Sequence, residues 1–239
     1  MWWHFGETQL HVDPGPGALV RALSHVPPCE PAKLDAIILS HKHLDHSGDV
    51  NVMIEAMSQG GWRPRGMLLA PLDAFEGEPV IFPYLRRFIP RIEHLREHGG
   101  PYEIGEVEIR GSVRHSHAVE TYGLHLRYKE LRVSYLPCTK YFDGLIPDYA
   151  EQKPDVLVIN VLRYRDSMDV DHLTFEQARE VIAGVRPRVA VLTHFGTRML
   201  EADPRTLARG LEEELGLRVH AARDGWTLDV ETEVAAIAR

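Results

Sequence analysis

The sequence predicts an α/β fold, and three observations carry that prediction. Continuous apolar runs of strand length, LDAIILS (34–40), MLLAP (67–71), DVLVIN (155–160) and RVAVLT (188–193), have the character of strands buried on both faces. Helical patterns fall between them, as at Asp49–Gln59 and TFEQAREVIAGV (174–185). A run of shorter candidates interrupts the alternation: VEIRGSVRH (107–115), YGLHLRY (122–128) and LRVSYLP (131–137). The last two are joined by Lys129-Glu130, too short a link for anything but an antiparallel hairpin.

The remaining elements follow in order. ETQLHVD (7–13) alternates like a half-buried strand, and the P-G-P-G after it is a turn. Ala18–Val26 reads as a short helix, and Gly60-Gly61 ends the helix at 49–59. Asp203–Leu215 reads as a helix with Asp203 as N-cap and Pro204 at its first position. LRVHAA (217–222) and WTLDVE (226–231) read as the final strands. Residues 73–100 are less regular and carry Arg86, Arg87, Arg91 and Arg96 among apolar side chains. Two readings stand for them: an arm or lid over a site, and a helical connector with a solvated basic face. The chain shows no repeat, low-complexity tract or linker, so a single domain over 1–239 is expected.

Composition narrows the function. The chain has 239 residues, with 27 Lys+Arg against 35 Asp+Glu and a formal net charge of −8. A protein held to DNA by general electrostatics needs a basic footprint, so nucleic acid is a disfavoured partner. Apolar residues at 44% and charged residues at 26% make an ordinary globular mixture. No apolar run approaches the roughly 20 residues that cross a membrane. MWWHFGETQL has neither the basic nor the apolar region of a signal peptide. Two cysteines, Cys29 and Cys138, make no disulfide framework, and a reducing cytoplasm is the expected compartment. Histidine is the outlier at 14 residues.

Residues 40–49 read S-H-K-H-L-D-H-S-G-D. His41, His43, Asp45 and His46 are four potential metal ligands within six residues, directly after a buried strand. Their spacing is not the i, i+4 pair of a helical H-E-x-x-H site. Imidazole with carboxylate suits zinc, iron or manganese. Packing alone does not explain four such groups together, because each would need its own partner when buried.

The segment His41-x-His43-x-Asp45-His46 resembles, residue for residue, the hallmark of the metallo-β-lactamase superfamily, and the resemblance extends over most of the chain. VDPGPG (12–17) resembles the family's first Asp motif, with Asp13 orienting the metal loop. HAVETYG (117–123) resembles a segment of the ribonuclease Z-like, phosphodiesterase-like branch and implies His117 as a ligand. THFG (193–196) implies His194 as the last ligand, and DHLTFEQA (171–178) resembles that branch's segment near the scissile phosphate, which points to His172.

The resemblance implies a four-layer αββα sandwich, two mixed sheets flanked by helices, with the metals at one edge. It implies two zinc ions: His41, His43 and His117 on one, and Asp45, His46 and His194 on the other. It further implies that metal-bound hydroxide attacks a small phosphodiester, with His172 as proton donor or phosphate ligand. A small anionic substrate is the implied partner. Flavodiiron-type members usually have Glu where this chain has His43, which disfavours an iron redox role.

The sequence departs from the family in two places. Where dinuclear members carry a bridging Asp, LRVSYLP ends in P-C-T, so Cys138 stands there. Three readings remain open: Cys138 is a zinc ligand, as a Cys is in the zinc β-lactamases; it leaves the second metal weak or absent, so that one zinc binds; or Asp143 supplies the carboxylate. The family's first strand and Gly-rich turn also lie ahead of the part that residues 1–13 match, which implies an edge strand missing here. An exposed edge would favour a homodimer.

Hydrolysis of an acyl bond (thioester, lactone or lactam) is the second enzymatic reading, and a non-catalytic metal-binding module is the third. His115, two residues before His117, shares its face if the strand continues, and is then a supporting residue. His4, His11, His25, His94, His98, His125 and His220 read as surface or partner-bonded, Trp2 and Trp3 as packing.

Overall fold

The computed structural model describes residues 1–165 and 170–237. The chain divides into two compact units, Met1–Gly111 with Val119–Tyr122, and Ser112–Ala118 with Gly123–Arg239.

The first unit is built on a five-stranded sheet, β1 (Trp2–Phe5), β2 (Thr8–Val12), β3 (Ala36–Ile38), β4 (Met67–Ala70) and β5 (Arg91–His94), in that spatial order. β1 and β2 form an antiparallel hairpin, and β2 to β5 run parallel. Parallel neighbours need crossovers. These are supplied by α1 (Ala18–Ser24), by α2 (Leu44–Ser47) with α3 (Val50–Met57), and by the turns between 72 and 88.

α3 buries Val50, Met53, Ile54 and Met57, the i, i+3, i+4, i+7 stripe of an amphipathic helix. They pack with Leu34, Ile37, Leu39 and Leu68 in one apolar cluster. Fully burying each such side chain contributes about 1.5–3 kcal/mol. A hairpin of β6 (Tyr102–Ile104) and β7 (Val107–Arg114) follows.

The end of β7 belongs to the second unit, with β8 (Tyr122–Tyr128), β9 (Leu131–Leu136), β10 (Val156–Asn160), β11 (Val189–Thr193) and β12 (Arg218–Ala221). β8 and β9 are antiparallel, and β9, β10, β11 and β12 are parallel in that order. The helices are α4 (Leu145–Glu151), α5 (Phe175–Val185), α6 (Thr197–Glu201), α7 (Pro204–Leu215) and α8 (Val230–Ile237). α5 repeats the stripe of α3 with Ala178, Val181, Ile182 and Val185 against Leu157, Ile159, Ala190 and Leu192. Among the described residues, no helix is long and apolar enough to cross a membrane.

Three readings of the sequence need correction. WTLDVE holds no strand. Asp229 accepts hydrogen bonds from the Thr232 N–H (3.1 Å) and hydroxyl (2.7 Å), and this turn starts α8 at Val230. Residues 73–100 are neither a helical connector nor an arm. Ile81, Leu85 and Ile89 are buried in the first unit's core, and β5 completes its sheet. β5 escapes a pattern search because R-I-E-H is a partly exposed edge strand with one apolar residue. Residues 2–5, to which the sequence assigned no element, form the edge strand β1, and Trp2 packs against the apolar cluster as expected.

Met53→Ala should destabilise the protein by about 2–5 kcal/mol in urea unfolding. Val52→Ala, one residue away on the exposed face, should change it by no more than about 0.5 kcal/mol. Equal effects would mean that α3 packs by another face.

Candidate metal centre

In the first unit the ligand-bearing segment begins where β3 ends. β2 and β3 are parallel neighbours with Val12 opposite Ile38, so Asp13 and Ser40 leave the sheet beside each other. Ser40 donates twice to the Asp13 carboxylate, from its N–H to Oδ1 and from its hydroxyl to Oδ2, both at 2.7 Å. His46 Nδ1 donates to the same Oδ2 at 2.9 Å. The Ser40 hydroxyl has given its hydrogen to Asp13, so it accepts from His41 Nδ1 at 3.0 Å. Both imidazoles therefore carry hydrogen on Nδ1, which leaves Nε2 as the atom each can turn to a metal.

The Asp13 side chain is buried. Burial alone would raise its pKa, but the charge and hydrogen bond of His46, the charge of His41 and the Ser40 N–H hold it at about 2.

His43 precedes α2, and the Ser47 hydroxyl closes this turn from 2.9 and 3.0 Å onto the carbonyls of Lys42 and His43. Ligand atoms of His41 and His43, of His41 and His46, and of Asp45 and His46 lie within 4.8 Å of each other. Gly15 is required by close approach: a Cβ there would stand 2.0 Å from the Asp45 carbonyl oxygen. Asp49, for which the sequence suggested no role, accepts from the Leu19 N–H at 3.0 Å, while its own N–H donates to the Pro14 carbonyl. It ties the turn at 14–19 to the start of α3.

The second unit gathers His117, Cys138, His172 and His194. Cys138 follows β9 and His194 follows β11, so both lie at the C-terminal ends of parallel strands, where α/β sheets place their ligand sites. The Ser116 N–H donates to Thr139 Oγ1 at 3.1 Å and the Lys140 N–H to the Ser116 carbonyl at 2.8 Å, which joins the His117 segment to the Cys138 segment. His117 Nδ1 donates to the Asp171 carbonyl at 3.0 Å, again leaving Nε2 as the ligand atom. The Asp171 carboxylate stands 3.2 Å from Lys140 Nζ.

The His172 ring meets His117 edge-on at 5.3 Å and lies nearly parallel to His194 at 5.9 Å. Its Nδ1 is buried and has no hydrogen-bond partner among the described residues. Cys138 is buried, with Sγ 3.8 Å from His194 Nε2, while Asp143 lies exposed. Of the two, Cys138 is the residue beside His194. Imidazoles with a carboxylate in the first unit, and imidazoles with a thiol in the second, are each donor types that a borderline-soft divalent ion such as zinc accepts.

One expectation changes. β7 ends at Arg114, so strand alternation does not relate His115 to His117. His115 is buried behind Cys138 instead, with Nδ1 3.2 Å from the Cys138 carbonyl and Nε2 3.1 Å from the Tyr149 hydroxyl. Burial lowers its pKa to about 4 against the Cys138 carbonyl and Asp148, which raise it, so the ring is neutral at pH 7. The N-terminus of α5, two positions after His172, is closed by its own side chains. Thr174 and Gln177 occupy it with a reciprocal capping box.

Two residues were not found from the sequence. Ser40 shows no signal, since a lone serine at a strand end is common. Asn160 does show one: it is a polar residue ending the apolar run DVLVIN, at the edge where sites form.

A family model described as a beta-lactamase superfamily domain matches residues 8–195. The chain belongs to the metallo-β-lactamase superfamily. An uncharacterised protein of Methanocaldococcus jannaschii is 27% identical over 95% of this chain and 85% of its own. A probable metallo-hydrolase of Bacillus subtilis, YhfI, is 23% identical over 79% of this chain and 76% of its own. The crystal structure of YhfI has a TM-score of 0.73 at 21% identity, covering 94% of this chain and 88% of that one. The short form of human tRNase Z has a TM-score of 0.68 at 14% identity, covering 96% and 91%. The fold is thus that of the superfamily, two mixed sheets with flanking helices, as the motifs implied, and the protein is a metallo-hydrolase of that fold.

Replacing Asp13 by Asn keeps the shape but removes the charge that holds His46 and Ser40. Zinc affinity, read by competition with a chromogenic chelator, should fall about 10–100-fold. Gly15→Ala should lower it as well, by displacing the Asp45 backbone, with circular dichroism otherwise unchanged. Wild-type affinity in both variants would remove Asp13 and Gly15 from the centre.

Proposed function

We propose that the protein binds two zinc ions through the ligands that the resemblance implied, His41, His43, Asp45, His46, His117, Cys138 and His194. The protein then hydrolyses a small phosphodiester. The observation that carries this reading is the common state of His41, His46 and His117. Each has Nδ1 committed to Ser40, Asp13 or the Asp171 carbonyl, so each presents Nε2. A zinc ion supplies Lewis acidity and lowers the pKa of water from 15.7 to about 7.

The protein's own residues do the rest. Asp13 and Ser40 hold the imidazoles in one tautomer. His172, set between His117 and His194, delivers a proton to the departing oxygen. A net charge of −8 favours a small substrate over a polynucleotide, and the chain's composition favours the cytoplasm. A structural relative at TM-score 0.68 and 18% identity is described as a diphosphatase of the PhnP family, which accords with phosphate chemistry.

One observation favours a second reading. A thiol beside His194 gives the ligand set of the zinc β-lactamases, and with it hydrolysis of a thioester, lactone or lactam.

Metal content of protein purified without chelators should be about two zinc ions per chain. A bis-aryl phosphate should be turned over and a thioester panel should not. His41→Ala should lower turnover at least about 100-fold, and His172→Ala should lower kcat more than KM. Thioester turnover alone would transfer the assignment to acyl bonds. Unchanged turnover in His41→Ala would falsify the metal mechanism.

A further inference from the structure

Cys138 raises a question that the proposed ligand set does not answer: what keeps its sulfur pointed at His194. Asn160 ends β10, the strand between β9, which leads to Cys138, and β11, which leads to His194. It is 3% exposed. Its side-chain amide nitrogen stands 3.5 Å from Cys138 Sγ and 3.3 Å from the Tyr135 hydroxyl oxygen. An amide NH₂ has two hydrogens, and here both have acceptors. One is spent on the phenol, which fixes the amide plane, and the other is directed at the sulfur. The sulfur itself is 3.8 Å from His194 Nε2.

The backbone of Cys138 is anchored separately. His115 stands between two groups, with Nδ1 3.2 Å from the Cys138 carbonyl and Nε2 3.1 Å from the Tyr149 hydroxyl. Tyr149 is fully buried, and its oxygen also lies 3.1 Å from the Tyr135 carbonyl. His125 packs edge-on against Tyr149 at 4.8 Å and is itself held by Ser134 (2.9 Å) and Asp148 (3.2 Å). Backbone and sulfur are thus supported from different sides, and Asn160 is the support in contact with the sulfur.

We propose that Asn160 is a positioning residue for Cys138: its amide, locked by the Tyr135 hydroxyl, aims the sulfur toward the metal shared with His194 and so selects a thiophilic ion there. Asparagine suits this place better than serine or aspartate. Serine is too short to reach both the sulfur and the phenol, and a carboxylate offers no hydrogen and repels an ionised sulfur. A buried, donor-lined thiol favours zinc over manganese or magnesium at that position. This inference rests on the reading of Cys138 as a ligand.

Cobalt(II) provides a test that does not depend on turnover, because a thiolate bound to cobalt gives a charge-transfer band in the near ultraviolet. The wild-type protein should show that band as the second cobalt binds, and Cys138→Ser should not. Asn160→Leu keeps the volume and loses both hydrogens. It should bind the first cobalt normally, bind the second about 10–100-fold more weakly, and show a shifted or weakened band. Tyr135→Phe leaves Asn160 in place without its lock and should move band and affinity the same way by a smaller factor. It keeps the assay decisive if the Leu variant fails to fold.

A wild-type band with unchanged affinity and spectrum in Tyr135→Phe and any folded Asn160 variant overturns the role of Asn160 and leaves Cys138 as a ligand. A wild-type protein that binds two cobalt ions without the band overturns the ligand reading and this inference with it.

Discussion

The buried carboxylate of Asp13 is the constraint on which the first unit's ligand loop depends. Taking a carboxylate out of water costs several kcal/mol, and it is tolerated only where hydrogen bonds replace the lost hydration. Ser40 supplies two and His46 a third. Each does a second job. The bond from His46 fixes which nitrogen of that ring carries hydrogen, and the Ser40 hydroxyl, oriented by Asp13, does the same for His41. One charge therefore sets the state of two imidazoles and the path of the chain between them. A neutral side chain of the same size would leave all three choices open.

The same logic recurs in the second unit without a buried acid. There the orienting acceptor for His117 is a backbone carbonyl, that of Asp171, and the loops bearing His117 and Cys138 are stitched by Ser116, Thr139 and Lys140. In both units candidate ligands follow the C-terminal ends of parallel strands, His41 after β3, Cys138 after β9 and His194 after β11. The strands themselves have to be apolar: Ile37, Ile38, Leu157 and Leu192 are fully buried, and a sheet covered on both faces has no place for an unpaired polar side chain. Polar groups accumulate where the strands stop. The rigidity of the sheet then sets the spacing of the groups that follow.

Under the proposed ligand set, Cys138 is what sets this site apart from one with a bridging carboxylate. A bridging carboxylate is a hard ligand that accepts many divalent ions, whereas a sulfur is a soft one that accepts fewer. The surroundings of this sulfur are polar and specific: an amide hydrogen from Asn160, an imidazole edge from His194 and a carbonyl held by neutral His115. An inert buried thiol would sit among aliphatic side chains instead.

Much of the fold was legible in the sequence because its signals are local. Buried parallel strands are short apolar runs, α3, α5 and α7 carry their stripes in their own residues, and Thr174 and Asp203 announce helix starts that the structure keeps. The ligand segment was legible for the same reason, since His41, His43, Asp45 and His46 are neighbours in the chain. Elements with weak local signals were not: β5 has a single apolar residue, and α8 owes its start to one turn at Asp229. The supporting residues were the least legible. Ser40 meets Asp13 across 27 positions, His115 meets Tyr149 across 34, and Asn160 meets Cys138 across 22. The sequence by itself determined which atoms are present to bind a metal. The tertiary structure decided which nitrogen each ring presents and where the sulfur points, because hydrogen-bond partners are set by the register of strands far apart in the chain.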